Sequence, residues 1–258
     1  MRVLPRRADS ASIFPTVNNI MADIRTLLDA GAHFALPRAR RHPSAAKYLF
    51  GTKDRTDVFD LEETERRLKK ANDFARALAG GALLFVGGKH EVAEIVKAAA
   101  LRAGSPYVAG RWIGGTLTNF KNIRRRIDRL ERLMKEREQG ELEKYTKRER
   151  LLIDREIEEL LARFGGLVTL TDLPKALFVV DTRHENTAVR EANQLGIPVI
   201  GLSSSDCDFA LIQHPIPAND TSVKSVRLVC DEISEAYVEG KKHQQKEGSK
   251  EQPQSETA

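Results

Sequence analysis

LFVVDTRHENTAV, Leu177 to Val189, followed closely by LGIPVIG, Leu195 to Gly201, decides the fold class. The run Leu177 to Asp181 is apolar without alternation, the pattern of a strand covered on both faces. Ala188, Ala192 and Leu195 then recur at helical spacing, and PVIGL, Pro198 to Leu202, is a second continuous apolar run. Strand, helix, strand in that order is one unit of βα winding.

The same rhythm extends in both directions. LLFVG, Leu83 to Gly87, reads as another buried strand, with Val92, Ile95, Val96 and Ala99 as the apolar face of its helix. A last helix carries Val223, Val226, Cys230, Ile233 and Tyr237 on one face, with Asn219 or Asp220 placed to cap its start. The expected class is α/β with a parallel sheet. From Asn119 to Phe164 the rhythm is interrupted by two charged helices around Gly140. Ile123, Ile127, Leu130 and Met134 form one seam; Ile153, Ile157, Leu160 and Phe164 form the other. Such spacings make a coiled-coil stripe, and the short connection makes the helices antiparallel neighbours.

Composition narrows the function classes. A chain of 258 residues with 41% hydrophobic content fits one elaborated domain. Its charge of +5, from 42 Lys and Arg against 37 Asp and Glu, is too small for a histone-like polycation, so the placement of charge matters more than its sum. Cys207 and Cys230 lack Cys-x-x-Cys spacing, which argues for a reducing compartment and against a disulfide framework. No apolar run approaches about 20 residues, so no membrane span is expected.

Enzyme motifs fail one by one. FVGGKH, Phe85 to His90, places Gly-Gly-Lys after a strand, but Leu83 stands where the first P-loop glycine belongs and His90 follows Lys89. Lys89 is left to meet a phosphate or solvent. Asp181, Asp206 and Asp208 lie near strand carboxyl ends, where turn and cap roles account for them economically. Cys207 with His214 is too sparse for zinc, and no Gly-x-Ser-x-Gly elbow occurs. No cofactor and no metal are expected.

Three segments carry candidate nucleic-acid chemistry. RWIGGTLTNF, Arg111 to Phe120, suits a backbone lying against RNA: Gly114 and Gly115 can adopt φ > 0 and approach a phosphate, while Thr116, Thr118 and Asn119 offer hydrogen bonds. Arg111 can pair with phosphate, and Trp112 either stacks on a base or anchors the hairpin in the core. A Gly-Gly turn ahead of Thr and Asn also begins ordinary helices. Next, Lys121 to Arg137 holds eight basic residues against three acidic ones. Lys121, Arg124 and Arg125 read as part of an RNA-binding ridge, while the Arg124 to Arg126 end also lies beside Glu156, Glu158 and Glu159, with which part of that charge can pair across the hairpin. Finally, Arg38, Arg40, Arg41, Lys47, Lys53 and Arg55 face only Asp54, a patch suited to phosphate neutralisation, with Tyr48 and Phe50 expected in the core.

The wording of these segments resembles the bacterial small-ribosomal-subunit protein two family, in which an Arg-Trp-(Leu/Ile)-Gly-Gly-Thr-Leu-Thr-Asn-aromatic run leads into a coiled-coil arm. LLDAGAHF (Leu27 to Phe34), KYLFG (Lys47 to Gly51), LFVVDTRHENTAV, LGIPVIG and HPIPANDTSVKSV (His214 to Val226) fall in the family's order, so the resemblance runs from Met21 to Tyr237. The chain departs from it at Ala35-Leu36, where Gly-His is usual, and at Arg41, where Trp is common.

The resemblance implies a Rossmann-like, flavodoxin-type domain over 21–118 and 165–239, with a coiled-coil insertion at 119–164. It implies a structural constituent of the small ribosomal subunit in the cytoplasm, not a homo-oligomer. Its partners would be small-subunit rRNA, bound between head and body, and neighbouring ribosomal proteins, including the large mRNA-binding protein whose docking it supports. The rival is a Rossmann-like enzyme acting on a nucleotide or sugar, which needs a ligand in the strand-end crevice. Residues 1–20 lack the apolar centre of a secretion signal and read as an extension, an upstream start or a short transit peptide. Residues 240–258 are polar without apolar period and are expected to be disordered.

Overall fold

The computed structural model describes residues 23–78 and 80–248, so the extension at 1–20 and the tail from 249 lie outside the described residues. The chain enters through α1 (Ile24–Asp29), capped by Asp23, whose carboxylate accepts from the Thr26 N–H at 2.9 Å. A small antiparallel sheet follows, with β1 (Phe34–Pro37), β2 (Leu49–Lys53) and β3 (Thr56–Phe59) in the order β1-β3-β2. Its β2–β3 turn is Asp54-Arg55, both at positive φ (48° and 64°), the geometry a two-residue hairpin demands.

The α/β winding occupies the rest: α2 (Leu61–Ala77), β4 (Leu83–Val86), α3 (His90–Arg102), β5 (Tyr107–Val108), α4 (Phe120–Glu138), α5 (Lys147–Phe164), β6 (Ala176–Val180), α6 (Asn186–Gln194), β7 (Val199–Ser203), β8 (His214–Pro217) and α7 (Val223–Gly248). Strands β4 to β8 form a parallel sheet in the order β5-β4-β6-β7-β8, with Phe85 opposite Phe178 and Val179 opposite Gly201. Renumbered from β4, that order is 2-1-3-4-5, the flavodoxin-type arrangement.

Every residue of β4, β6 and β7 is buried, which is why these strands read as unbroken apolar runs. Alternate residues feed two cores. Leu83, Phe85, Phe178 and Ile200 pack with α2, α3 and α7; Leu84, Val86, Leu177 and Val179 pack with α6, the α4–α5 hairpin and the small sheet. Each large side chain so buried contributes about 1.5–3 kcal/mol.

In the hairpin, Ile123, Ile127, Leu130 and Leu133 of α4 are buried in the same core as Ile157, Leu160 and Phe164 of α5. Met134 and Ile153 of the predicted stripe are half-buried against this core, and Leu133 is buried beside them.

Helix α7 differs from expectation at both ends. Asn219 Oδ1 accepts from Thr221 and Ser222 N–H at 3.0 and 3.2 Å and shapes the preceding turn, while Ser222 occupies the capping position and Asp220 is buried elsewhere. The helix also runs through Gly248 instead of ending at Glu239. Lys241 Nζ donates to the Ala103 and Gly104 carbonyls at 3.1 and 3.3 Å, and Gly240 lies so close to Arg76 that an added Cβ would fall 2.2 Å from its carbonyl oxygen. The extra turns are held by polar and glycine contacts, which leave no apolar period.

Candidate nucleic-acid interface

The loop from β5 into α4 is organised around one carboxylate. Glu191 projects from α6 and is 7% exposed. Its Oε1 accepts from the Trp112 indole N–H at 3.1 Å and the Gly115 N–H at 2.8 Å; its Oε2 accepts from the Leu117 and Thr118 N–H groups at 3.0 and 3.1 Å and the Thr118 hydroxyl at 3.3 Å. Burial raises the pKa of Glu191, but the bonds from Gly115, Trp112, Leu117 and Thr118 outweigh it and hold the group below the usual carboxylate range.

This arrangement corrects the sequence reading of the loop. Donors assigned to RNA phosphate are already bound to the chain's own anion. Trp112 is 7% exposed and lies in the core beneath the hairpin, so its anchoring role is the one realised. Thr116 is buried, and its hydroxyl donates to the Ile113 carbonyl at 2.6 Å. Gly115 takes φ 90° and must be glycine, whereas Gly114 is outside the positive-φ region and has open space where a Cβ would be. Gly114, Arg111, Asn119 and Lys121 remain at the surface.

Arg124 is likewise committed internally. It pairs with Asp128 at 2.8 Å and Glu131 at 2.9 Å, and donates to the Val168 and Leu170 carbonyls at 3.1 and 3.2 Å, tying α4 to the chain returning toward β6. The pairing across the hairpin is made one turn further on, where Arg129 grips Glu156 with two bonds of 2.5 and 2.8 Å. Arg125 and Arg126 are exposed and have no ion pair among the described residues.

At the amino-terminal patch, Arg38 and Arg40 occupy an exposed 3-10 turn without ion pairs among the described residues, and the Arg38 N–H donates to the Arg55 carbonyl at 2.9 Å, joining that turn to the β2–β3 hairpin. Lys47, Lys53 and Arg55 are exposed. Lys47 lies 4.9 Å above the ring of Tyr48, which is core. Arg41 is different: its guanidinium lies 3.7 Å from Asp57, a fully buried carboxylate that also accepts from Thr52 at 2.7 Å. Phe50 corrects the expectation that it lies in the core. The register slips between Leu49 and Gly51, making Phe50 the extra residue of a bulge and leaving it 82% exposed. Tyr48 ends a 3-10 helix and Phe50 falls at the bulge of β2, so two aromatics that look alike in sequence end up on opposite sides of burial.

At the strand ends that the rival enzyme would use, the chain's own charged groups pair with one another. Lys89 pairs with Asp181 and lies 4.0 Å from Asp220, with its side chain still 25% exposed. Burial works against its charge, but the bond to Asp181 prevails and raises its pKa. Asp181, at φ 61°, turns the chain by accepting from the Arg183 and His184 N–H groups at 3.1 and 3.0 Å; Asp208 accepts from Ala210 N–H at 2.9 Å; Asp206 pairs with Arg183 at 2.5 Å. Glu185 accepts from Gly88 N–H at 3.1 Å and seals the loop after β4.

Asp181, Cys207 and Asp220 bring one ligand-type atom each within 4.8 Å of one another. Burial pushes the Cys207 thiol up to about 12 and Asp220 up to about 7, and Lys89 already provides the positive charge there.

A flavodoxin-type sheet with ion pairs at its strand ends, carrying a helical hairpin with exposed cations, defines an α/β protein with a coiled-coil insertion and charged surfaces. A family model described as ribosomal protein S2 matches residues 27–240. The small ribosomal subunit protein uS2 of Roseiflexus sp. (strain RS-1) is 42% identical over 222 residues, covering 85% of each chain. That of Sorangium cellulosum (strain So ce56) is 36% identical over 239 residues, 92% of this chain and 86% of its own, and that of Campylobacter lari (strain RM2100) is 40% identical over 92% of each. The chain belongs to the ribosomal protein S2 family, whose members are structural, non-enzymatic parts of the small subunit and work on the ribosome in the cytoplasm. Among the described residues no helix is long and apolar enough to cross a membrane.

Proposed function

We propose that this protein holds small-subunit rRNA between head and body through phosphate and shape contacts, and helps the large mRNA-binding ribosomal protein to dock. The observation that carries the reading is that both basic segments hang on one core. Tyr48 and Phe59 of the amino-terminal patch pack in the same apolar cluster as Trp112, Leu117 and Ile123 at the hairpin root. Exposed cations without an ion pair among the described residues therefore stand on both segments joined by that core, Arg38 and Arg40 on one, Arg111, Lys121 and Arg125 on the other. Clustered cations on a rigid frame suit phosphate contacts, whose affinity comes from counterion release.

Cosedimentation with small subunits lacking this protein, in high-magnesium buffer, tests the proposal. Stoichiometric, salt-sensitive binding that depends on both segments is expected. Binding insensitive to salt, or none, overturns it.

A further inference from the structure

The root of the hairpin contains a cavity of about 590 Å³ lined by Arg125 and Arg126 from the start of α4 and Arg163 from the end of α5. The fold-back of the two helices brings these guanidinium groups together from positions far apart in sequence. Among the described residues no carboxylate lines the cavity. Arg163 is steadied by Glu159, one turn back on its own helix, at 2.5 Å, whereas Arg125 and Arg126 carry no ion pair among the described residues. The apolar wall is fixed: Ile123 and Phe164 are buried parts of the hairpin core.

Neutral donors complete the rim. Gly114 lines the cavity, is exposed, and among the described residues its N–H donates to nothing. Asn119 and Asn122 also line it, joined by a 2.8 Å bond from Asn122 Nδ2 to Asn119 Oδ1, which leaves the Asn119 amide group free to donate. The cavity lies at the positive end of α4's dipole. Arg125 and Arg126, without an ion pair among the described residues, repel one another and the nearby Arg163, and the arrangement becomes more favourable when an anion enters. Planar guanidinium forks match phosphate oxygens.

We propose that this cavity is a phosphodiester-binding site that seats the backbone of an RNA strand at the hairpin root, with Arg125, Arg126 and Arg163 on the phosphates and Gly114 at the edge where the strand enters. The proposal rests on the rRNA-binding reading and deepens it. Arg126 and Arg163 act there alongside Arg125, and the Glu191-bound part of the loop serves to aim the site, not to touch the ligand.

Filter binding of the full-length protein to small-subunit rRNA across a potassium chloride series tests it, with melting temperatures taken in parallel. Replacing Arg125, Arg126 and Arg163 together by Ala is expected to lower the slope of log affinity against log salt by roughly 2 to 3. Lysine at all three should retain most of the slope but weaken binding, because the forked contact is lost. Gly114→Leu, at a position with room for a side chain, should weaken binding about tenfold at an unchanged melting temperature.

A wild-type slope in the triple alanine variant, with a reduced slope in Arg38→Ala/Arg40→Ala, overturns the cavity site and leaves the rRNA reading standing. Failure of the wild-type protein to bind rRNA overturns both. Should the triple variant melt early, Gly114→Leu decides, and wild-type affinity there counts against the site.

Discussion

The indole N–H of Trp112 donates to Glu191 Oε1 at 3.1 Å, and that bond joins the root of the hairpin to a helix on the flank of the sheet. The residues are 79 apart in sequence, and the contact makes Glu191 the point from which the loop hangs. Glu191→Ala removes the acceptor for five donors and strands several in a buried place. A loss of about 3 kcal/mol in urea unfolding is expected, with Glu191→Gln intermediate because its amide nitrogen faces further donors. The folded pKa is depressed, so the stabilisation is present above the unfolded value and is lost as pH falls through the folded one. The acid limb of the stability curve should be shallower in Glu191→Gln than in wild type.

The two glycines of the same loop should part company. Gly115 sits at φ 90° with Asn119 Cβ 3.3 Å from where its own Cβ would be, so Gly115→Val is expected to cost about 2–3 kcal/mol. Gly114→Ala meets neither strain nor a neighbour and should leave thermal unfolding unchanged. Equal losses at both positions would contradict this assignment.

This contrast marks what sequence could carry. The parallel sheet was legible because burial on both faces forces continuous apolar runs, as in Leu83 to Val86 and Ala176 to Val180. The basic segments were legible as composition, but which cations are free was not. Arg41, Lys89 and Arg124 are held by Asp57, Asp181 and Asp128, partners 16, 92 and 4 positions away, and only the last of these lies in the same basic segment as its arginine. RWIGGTLTNF carries the donors of an anion site, yet the anion is Glu191, a lone acid in an unremarkable helix. Phe50 was hidden by a bulge, and Arg163 by the fold-back that brings it to Arg125.

Asp220 supplies a prediction for pH. Burial and the neighbouring charge of Asp181 push it up to about 7, with Lys89 pulling the other way. The folded protein thus keeps a proton that the unfolded chain releases near 3.8. Its contribution is fully present below that value and disappears as pH rises through about 7. Asp220→Asn should flatten the decline and be more stable than wild type in urea above about pH 7. A variant with the wild-type pH dependence would place the titration elsewhere.

The amino-terminal patch separates two kinds of arginine that stand almost side by side. Arg38 and Arg40 are exposed without ion pairs among the described residues, whereas Arg41 lies 3.7 Å from Asp57, which is fully buried. Removing Arg41 leaves a buried carboxylate with only the Thr52 hydroxyl at hydrogen-bond distance. Arg41→Ala is therefore expected to lose about 1–2 kcal/mol of stability while its salt dependence of subunit binding stays as in wild type. Arg38→Ala/Arg40→Ala should do the reverse, keeping the melting temperature and lowering the salt slope by roughly 1.4 to 1.8, the amount two phosphate contacts supply. Measuring both quantities on both variants keeps the assignments independent. A reduced slope in Arg41→Ala at full stability would move that residue to the RNA-facing set, and an unchanged slope in the double variant would reduce Arg38 and Arg40 to solvated surface.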